Sequence, residues 1–145
     1  MNLFGMLGVS GSALTAERQR AEVVTANLAN SDTTHTVEGG PYRRRLVVFE
    51  AQNGSRFPRL LHAGLRASPD MGVKVSDVVV DPAPPEMRYE PSSPDADAQG
   101  FVAYPNIEPV NEMVDLMGAV RAYDMNSTAV QATKQMIQQS IDLLR

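Results

Sequence analysis

The chain has 145 residues, a net charge of −4 and 43% hydrophobic residues, which fits one folded domain or a small domain with a helical stalk. The acidic balance argues against general nucleic-acid binding, because such binding needs a basic surface. The absence of cysteine excludes disulfides and thiolate chemistry, and no apolar run of about 18 residues is present to span a membrane. We also expect no cleaved signal peptide, since the first basic residue, Arg18, follows the apolar segment instead of preceding it.

The first thirty residues predict a helix from Leu3 to Asn30. Gly5, Gly8 and Gly11 weaken its first third, so we expect order there to depend on packing. Asn30 should end the helix, because asparagine tolerates the left-handed conformation found beyond helix ends. An apolar ladder with the spacing of a helix-pairing seam runs along this segment, and its members are Leu3, Leu7, Leu14, Ala21, Val24 and Leu28.

Two asparagines near the end of this helix carry a hypothesis about assembly. Asn27 and Asn30 are three residues apart and therefore share one face of the helix. We expect Asn30 to cap the helix and Asn27 to hydrogen-bond to an adjacent subunit. The alternative is that both asparagines serve only as caps for the last carbonyls.

The middle of the chain predicts a small β-rich domain. All ten prolines lie between Pro41 and Pro109, so a long helix cannot continue there. Asn53-Gly54 is the dipeptide that a tight hairpin turn prefers. The predicted strands, which are rich in β-branched and aromatic residues, are Arg44–Glu50, Val73–Val80, Met87–Glu90 and Phe101–Tyr104.

Charge is divided unevenly within this middle segment. Six bases and one acid lie between Arg43 and Arg66, whereas eight acids and two bases lie between Ala67 and Pro109. The two stretches could pair within one domain. They could instead form complementary faces that meet between neighbouring subunits.

Catalytic and metal chemistry find little support in the sequence. The two histidines, His35 and His62, lie outside any recognisable triad motif and lack the partners of a zinc site. Asp95 to Gly100 imitates the start of a calcium loop, but the twelfth position is Asn106 instead of a glutamate. We therefore expect no enzyme activity, no cofactor and no metal. A small calcium- or ligand-binding module on the β domain is kept as the alternative function.

The C-terminal segment predicts a second long helix, which begins near residues 110–112. Its apolar residues return at alternating steps of four and three, interrupted only at Ser127 and Lys134. They are Leu116, Val120, Tyr123, Val130, Ile137, Ile141 and Leu144. The expected fold is therefore α+β. Long N- and C-terminal helices would pack as a coiled-coil-like pair around a small β-rich middle domain, with divisions at 1–32, 33–109 and 110–145.

Four motifs resemble those of the bacterial flagellar axial proteins, in particular the basal-body rod proteins. The segment SALTAERQRAEVVTANLANSDT at residues 12–33 resembles the N-terminal signature of that family, in which Ala26 to Asn30 form the ANLAN motif. The segment PDADAQGFVAYPN at residues 94–106 is similar to a segment of the proximal-rod members. Glu112-Met113-Val114 and Arg121-Ala122-Tyr123 match family positions in the last helix.

This resemblance implies a structural subunit of the proximal rod. Its terminal helices would polymerise, transmit torque and line the export channel. The implied partners are copies of itself, other flagellar rod proteins, the inner-membrane ring with its adaptor proteins, and the flagellar type III export apparatus. The implied location is the periplasmic part of the basal body. The residues expected to pair the helices and drive assembly are those of the two ladders together with Asn27 and Asn30.

Overall fold

The computed structural model describes residues 3–52 and 72–143 of the chain. Two long helices precede and follow four strands along the chain, in agreement with the predicted α+β class. The elements in chain order are α1 (Leu3–Ala29), β1 (Arg45–Gln52), β2 (Gly72–Val80), β3 (Glu86–Tyr89), β4 (Phe101–Tyr104) and α2 (Pro109–Asp142). Neither helix is long and apolar enough, within these ranges, to cross a membrane.

The two helices lie against each other and run antiparallel. Asn27, near the end of α1, contacts Glu112 at the start of α2, and Arg20 lies 3.5 Å from Asp115. One further turn along each helix places Ala16 opposite Ala119, and both are buried. Small side chains at these positions allow the two backbones to approach closely. The helices are thus in contact, while coiled-coil pairing remains a proposal.

The face of α2 that is turned inward differs in part from the predicted ladder. Glu112, Ala119 and Thr133 are buried and are seven or fourteen residues apart, so small and polar residues supply one half of this face. The other half coincides with the ladder, since Leu116, Val130 and Ile137 are half-buried.

Three ladder residues of α2 are exposed and therefore do not hold the helix pair within the chain. They are Val120, Tyr123 and Ile141. Leu144 lies outside the described residues. The predicted ladder of α1 agrees better with the face of that helix that is turned inward. Val24 is buried, and the four leucines of the ladder are half-buried: Leu3, Leu7, Leu14 and Leu28.

The first sheet is an antiparallel hairpin of β1 and β2 with a bulge between Val48 and Phe49. Helix α1 packs on this sheet and bonds to one main-chain position at each of its two edges. Ser12 Oγ accepts a hydrogen bond from the Val73 amide at the β2 edge, whereas Asn27 binds the main chain of Arg45 at the β1 edge. These contacts satisfy edge groups that would otherwise attract another strand. The predicted turn at Asn53-Gly54 lies outside the described residues.

The second sheet, β3 paired with β4, precedes α2. Gly100 enters β4 with a φ of +85°, and the Tyr89 and Phe101 rings pack edge to face at 5.3 Å. Thr34 Oγ1 donates to Asp95 at 2.7 Å, which fastens the loop after α1 to the turn before β4. Each of the four predicted strands is found, with ends shifted by at most two residues.

Asn30 ends α1 differently from the prediction. No non-glycine residue in the described ranges has a positive φ, so Asn30 is not left-handed. Its side-chain Nδ2 instead donates to the carbonyl of Ala26 at 2.8 Å. The same carbonyl also accepts from the Asn30 amide at 3.1 Å, so the side chain adds a second donor to a carbonyl that is already bonded. Asn30 thus contacts the last turn of α1 through its side chain, and its role as a cap stays a prediction.

Candidate functional site: the junction of the terminal helices

The end of α1, the start of α2 and the beginning of β1 meet at a set of buried and half-buried polar side chains. We call Asn27, Tyr42, Arg44 and Glu112 the junction cluster. Two of its members are almost fully enclosed, since Asn27 and Glu112 are each 1% exposed. Buried polar groups are costly unless they are hydrogen-bonded, so the partners of each side chain decide what the cluster does.

Asn27 uses its whole carboxamide. Its Nδ2 donates to the Arg45 carbonyl at 2.8 Å and to Glu112 Oε2 at 3.1 Å. Its Oδ1 accepts from the Arg45 amide at 2.9 Å and from the Tyr42 hydroxyl at 3.1 Å. The two bonds to Arg45 are those that a neighbouring strand would make, so Asn27 acts as a one-residue extension of the sheet.

Glu112 is the buried charge of the cluster and is paired with Arg44. Both Nε and Nη2 of Arg44 lie 2.6 Å from Glu112 Oε1, while Oε2 faces Asn27. A buried carboxylate with one partner removed is strongly destabilising, whereas a fully paired one is tolerated. Glu112 therefore joins α2 to both α1 and the segment before β1.

Two further carboxylates surround the Arg44 guanidinium. Asp115 lies 3.8 Å away and Asp81 lies 4.0 Å away. The main-chain amide of Asp81 also donates a hydrogen bond to the Arg44 carbonyl at 2.8 Å. The basic and acidic stretches of the sequence thus meet within the chain at Arg44. Arg56, Arg59 and Arg66 lie outside the described residues.

Tyr42 is held in its neutral form. Burial raises the pKa of the Tyr42 hydroxyl, the nearby Arg45 guanidinium opposes this effect, and the Glu112 carboxylate adds to it. The proton that is retained is the one donated to Asn27 Oδ1. The pKa shift and the geometry therefore both favour Tyr42 as a hydrogen-bond donor.

The arrangement of the junction cluster is suited to a structural role. Its charges are paired and its hydrogen-bonding groups face one another, as in a cluster that fixes the relative positions of three segments. Residues 3–52 and 72–143 contain no group of three or more histidine, aspartate or glutamate side chains placed to hold a metal ion. His35 is exposed, and His62 lies outside those ranges.

The acidic turn at residues 95–100 is built from its own hydrogen bonds. Asp97 Oδ1 accepts from the amides of Gln99 at 2.8 Å and Phe101 at 2.9 Å. Asp95 accepts from Thr34. These carboxylates thus shape the turn that leads into β4, and the calcium-binding alternative gains no support from them.

The prediction that Asn27 bonds to an adjacent subunit is wrong. All of its hydrogen-bonding atoms are engaged within the chain, and only 1% of the residue is exposed. The alternative, in which Asn27 only caps the helix, is also incomplete, because it joins α1 to β1 and α2. The role of the ladder residues in assembly stays a prediction.

Sequence reasoning missed Glu112, Arg44 and Tyr42 as the partners of Asn27. One signal was available: a step of four back from Leu116 extends the ladder of α2 to Glu112. A charged residue on a helix-pairing face requires a partner when it is buried. The identity of that partner was not accessible, because Arg44 is 68 residues away in the chain.

Family comparisons match both ends of the chain. Residues 7–34 match the family described as flagella basal body rod protein. Residues 98–143 match the C-terminal family of the flagellar basal body rod FlgEFG proteins. These two matches include Asn27 and Glu112, so the junction cluster joins the two family segments.

The chain is also similar, over nearly its whole length, to three FlgC proteins. The chain is 42% identical to the flagellar basal-body rod protein FlgC of Bacillus subtilis, with 99% of each chain covered. It is 38% identical to FlgC of Escherichia coli O157:H7 over 99% of this chain and 98% of the relative. It is 36% identical to FlgC of Borreliella burgdorferi over 100% and 99%.

Proposed function

Since this chain belongs to the FlgC family of flagellar basal-body rod proteins, we propose that it polymerises through its terminal helices. It is a structural subunit of the proximal rod, and its relatives are structural proteins. The finer proposal is that the helix pair forms the inner part of the rod. There it would line the export channel and transmit torque, with the sheets farther out.

One observation carries the proposal. The predicted ladder of α2 is only partly used within the chain, because Val120, Tyr123 and Ile141 remain exposed. Exposed apolar residues that continue a buried seam are typical of surfaces that another protein covers. The junction cluster supports the same proposal, since it fixes the angle at which α1 and α2 present this surface.

The partners follow from the family. Assembly with other rod and basal-body proteins is expected of a rod subunit. We propose copies of this chain and other rod proteins as the direct neighbours. The inner-membrane ring with its adaptors and the type III export apparatus would be met at the base. We further propose export by the type III apparatus and final placement in the periplasm.

The experiment introduces a charge at an exposed position of the ladder. Ile141 is 59% exposed near the end of α2, so Ile141→Asp should leave the isolated protein folded. In the rod, the same carboxylate would be buried against a neighbour without a partner, which is costly. We expect normal circular dichroism and an unchanged melting temperature, together with loss of motility and loss of the chain from isolated basal bodies.

Gln138→Asp is the matched control, because it adds the same charge at an exposed position outside the ladder. It should preserve motility. Asp142→Lys, which also lies outside the ladder, should be tolerated as well. Rotating flagella in cells that carry only Ile141→Asp would show that this surface is not buried in the rod.

A further inference from the structure

One face of the second sheet is apolar and open. Met87 and Tyr89 alternate along β3 and lie opposite Ala103 and Phe101 of β4, so these four side chains share one face. We call them the aromatic face. Tyr89 is 66% exposed and Met87 is 53% exposed. Neither β3 nor β4 contacts a helix or the first sheet, so no other element of the described ranges covers this face.

The surroundings of the aromatic face are acidic. Residues 86–104, which form the second sheet and its turn, contain four acids and one base. The base, Arg88, is already paired with Glu86 at 3.2 Å. Asp97 is exposed beside the edge of β4, where its amide donates to the Phe101 carbonyl at 2.8 Å. A partner for this face should therefore combine apolar side chains with positive charge.

A surface of that kind lies between the loop after α1 and the first sheet. It is a concavity of about 610 Å³ whose lining includes Val37, Tyr42, Arg43, Arg45 and Val80. We call these five residues the basic concavity. Val80 is opposite Arg45 in the sheet, shares its face and is 50% exposed. The concavity thus presents apolar side chains beside arginines.

The positive charge of the basic concavity is not neutralised by ion pairs. Arg44 is engaged in the junction cluster and pairs with carboxylates there. Arg43 and Arg45 are exposed, and neither forms an ion pair in the described ranges. Glu38 also lines the concavity, as one acid against two arginines. The surface therefore keeps a positive charge for a partner.

The two surfaces complement each other but do not meet within the chain. No ion pair, ring contact or cation–π contact joins them in the described ranges. An arginine beside an exposed tyrosine ring and a carboxylate gains from both, through the cation–π interaction and the opposite charge. One chain therefore carries both halves of a possible contact.

We infer that the basic concavity receives the aromatic face of a second copy of this chain. This inference rests on the proposed function and concerns the two sheets, outside the terminal helices. Arg43 would lie over the Tyr89 ring and near Asp97 of the second copy. Met87 of that copy would pack beside Val80. Each copy offers a different surface on each side, so the contact is head-to-tail and can be repeated along an assembly.

Disulfide cross-linking in isolated basal bodies tests the inference, because the chain has no native cysteine. Cells express Val80→Cys and Met87→Cys chains together, and their basal bodies are oxidised. A dimer of the chain is expected, whereas cells that express either variant alone should give none. In the control, Glu86→Cys replaces Met87→Cys, since Glu86 is exposed on the opposite face of β3.

The dimer should exceed this control by about tenfold, because a disulfide needs Cα atoms within about 7 Å and Cβ atoms that point toward each other.

A charge reversal separates the contact from folding. Arg43 is exposed and has no ion pair in the described ranges, so Arg43→Glu should leave the melting temperature of the monomer unchanged. We expect the dimer yield per assembled chain to fall to the level of the Glu86→Cys control, or the folded chain to be lost from basal bodies. Lys134→Glu makes the same charge change at an exposed position on α2 and should preserve the dimer.

The outcomes distinguish this inference from the proposed function. Equal dimer yields from Met87→Cys and Glu86→Cys, or dimers in cells that express one variant alone, would overturn it. A disulfide from position 80 to a protein of another mass would also overturn it, because a different rod protein would then occupy the concavity. The proposed function is read separately, since absence of the unsubstituted chain from basal bodies would remove the rod assignment itself.

Discussion

Replacing Asn27 by alanine probes the junction cluster most directly. The substitution removes four hydrogen bonds that join α1 to Arg45, Tyr42 and Glu112. It does so at a site that is 1% exposed, where water cannot easily replace the lost partners. We therefore expect Asn27→Ala to destabilise the isolated monomer, independently of any effect on assembly.

The size of the effect follows from the partners left behind. A typical hydrogen bond contributes about 1 kcal/mol net, and a buried polar group without a partner costs about 1–3 kcal/mol. Four bonds, one of them to the Glu112 carboxylate, then predict a loss of about 3–5 kcal/mol. A domain of this size has a free energy of unfolding of about 5–15 kcal/mol. Asn27→Ala should thus leave a protein that is only marginally stable.

The measurement is urea unfolding of the purified monomer, with the monomeric state verified by sedimentation. Asn30→Ala is the matched control from the same motif. Asn30 is half-buried; its side-chain Nδ2 donates to the carbonyl of Ala26, and its Oδ1 accepts from the Thr33 hydroxyl at 3.2 Å. The loss of these two part-buried bonds should cost about 1–2 kcal/mol, less than the loss at Asn27.

Asn27→Asp adds a test of the donor groups. It preserves size and the acceptor oxygen but removes both N–H donors and places a second carboxylate beside Glu112. It should destabilise at least as much as alanine at neutral pH. A loss below about 1 kcal/mol for Asn27→Ala, with normal monomer stability and failed assembly, would refute this reasoning and restore a role between subunits.

The remaining predictions concern a turn and a titration. Gly100→Ala should lower the free energy of unfolding by at least about 1–2 kcal/mol, because φ is +85° and the new Cβ would lie 2.9 Å from the Tyr89 ring. Gly118→Ala, in open space on α2, should instead stabilise by about 0.5–1 kcal/mol, and urea unfolding of both compares them. Burial raises the pKa of Tyr42, so its contribution to stability is complete below the usual pKa near 10 and is lost as pH rises through the higher folded value. The free energy of unfolding, measured from pH 8 to 11, should therefore fall more steeply with pH for the unsubstituted chain than for Tyr42→Phe. Equal slopes for the two proteins would contradict the argument.

The elements themselves could be read from the sequence because their signals are local. Proline confined between Pro41 and Pro109 delimits the helices, and Pro109 stands at the first position of α2, where a missing amide costs nothing. Period-two and β-branched patterns located the strands to within two residues. The family motifs were equally legible, since each is contained in a short segment.

Tertiary structure decided which face of α2 is turned inward and which residues form the junction cluster. Apolar character favours Val120 over Ala119 for the helix-pairing face, but Ala119 is fully buried whereas Val120 is exposed. A buried Glu112 requires a cation, and Arg44 is brought to it only when the segment before β1 and α2 fold together. Periodicity within one helix carries information about its type. The choice of inward face depends on a partner that lies far away in the chain.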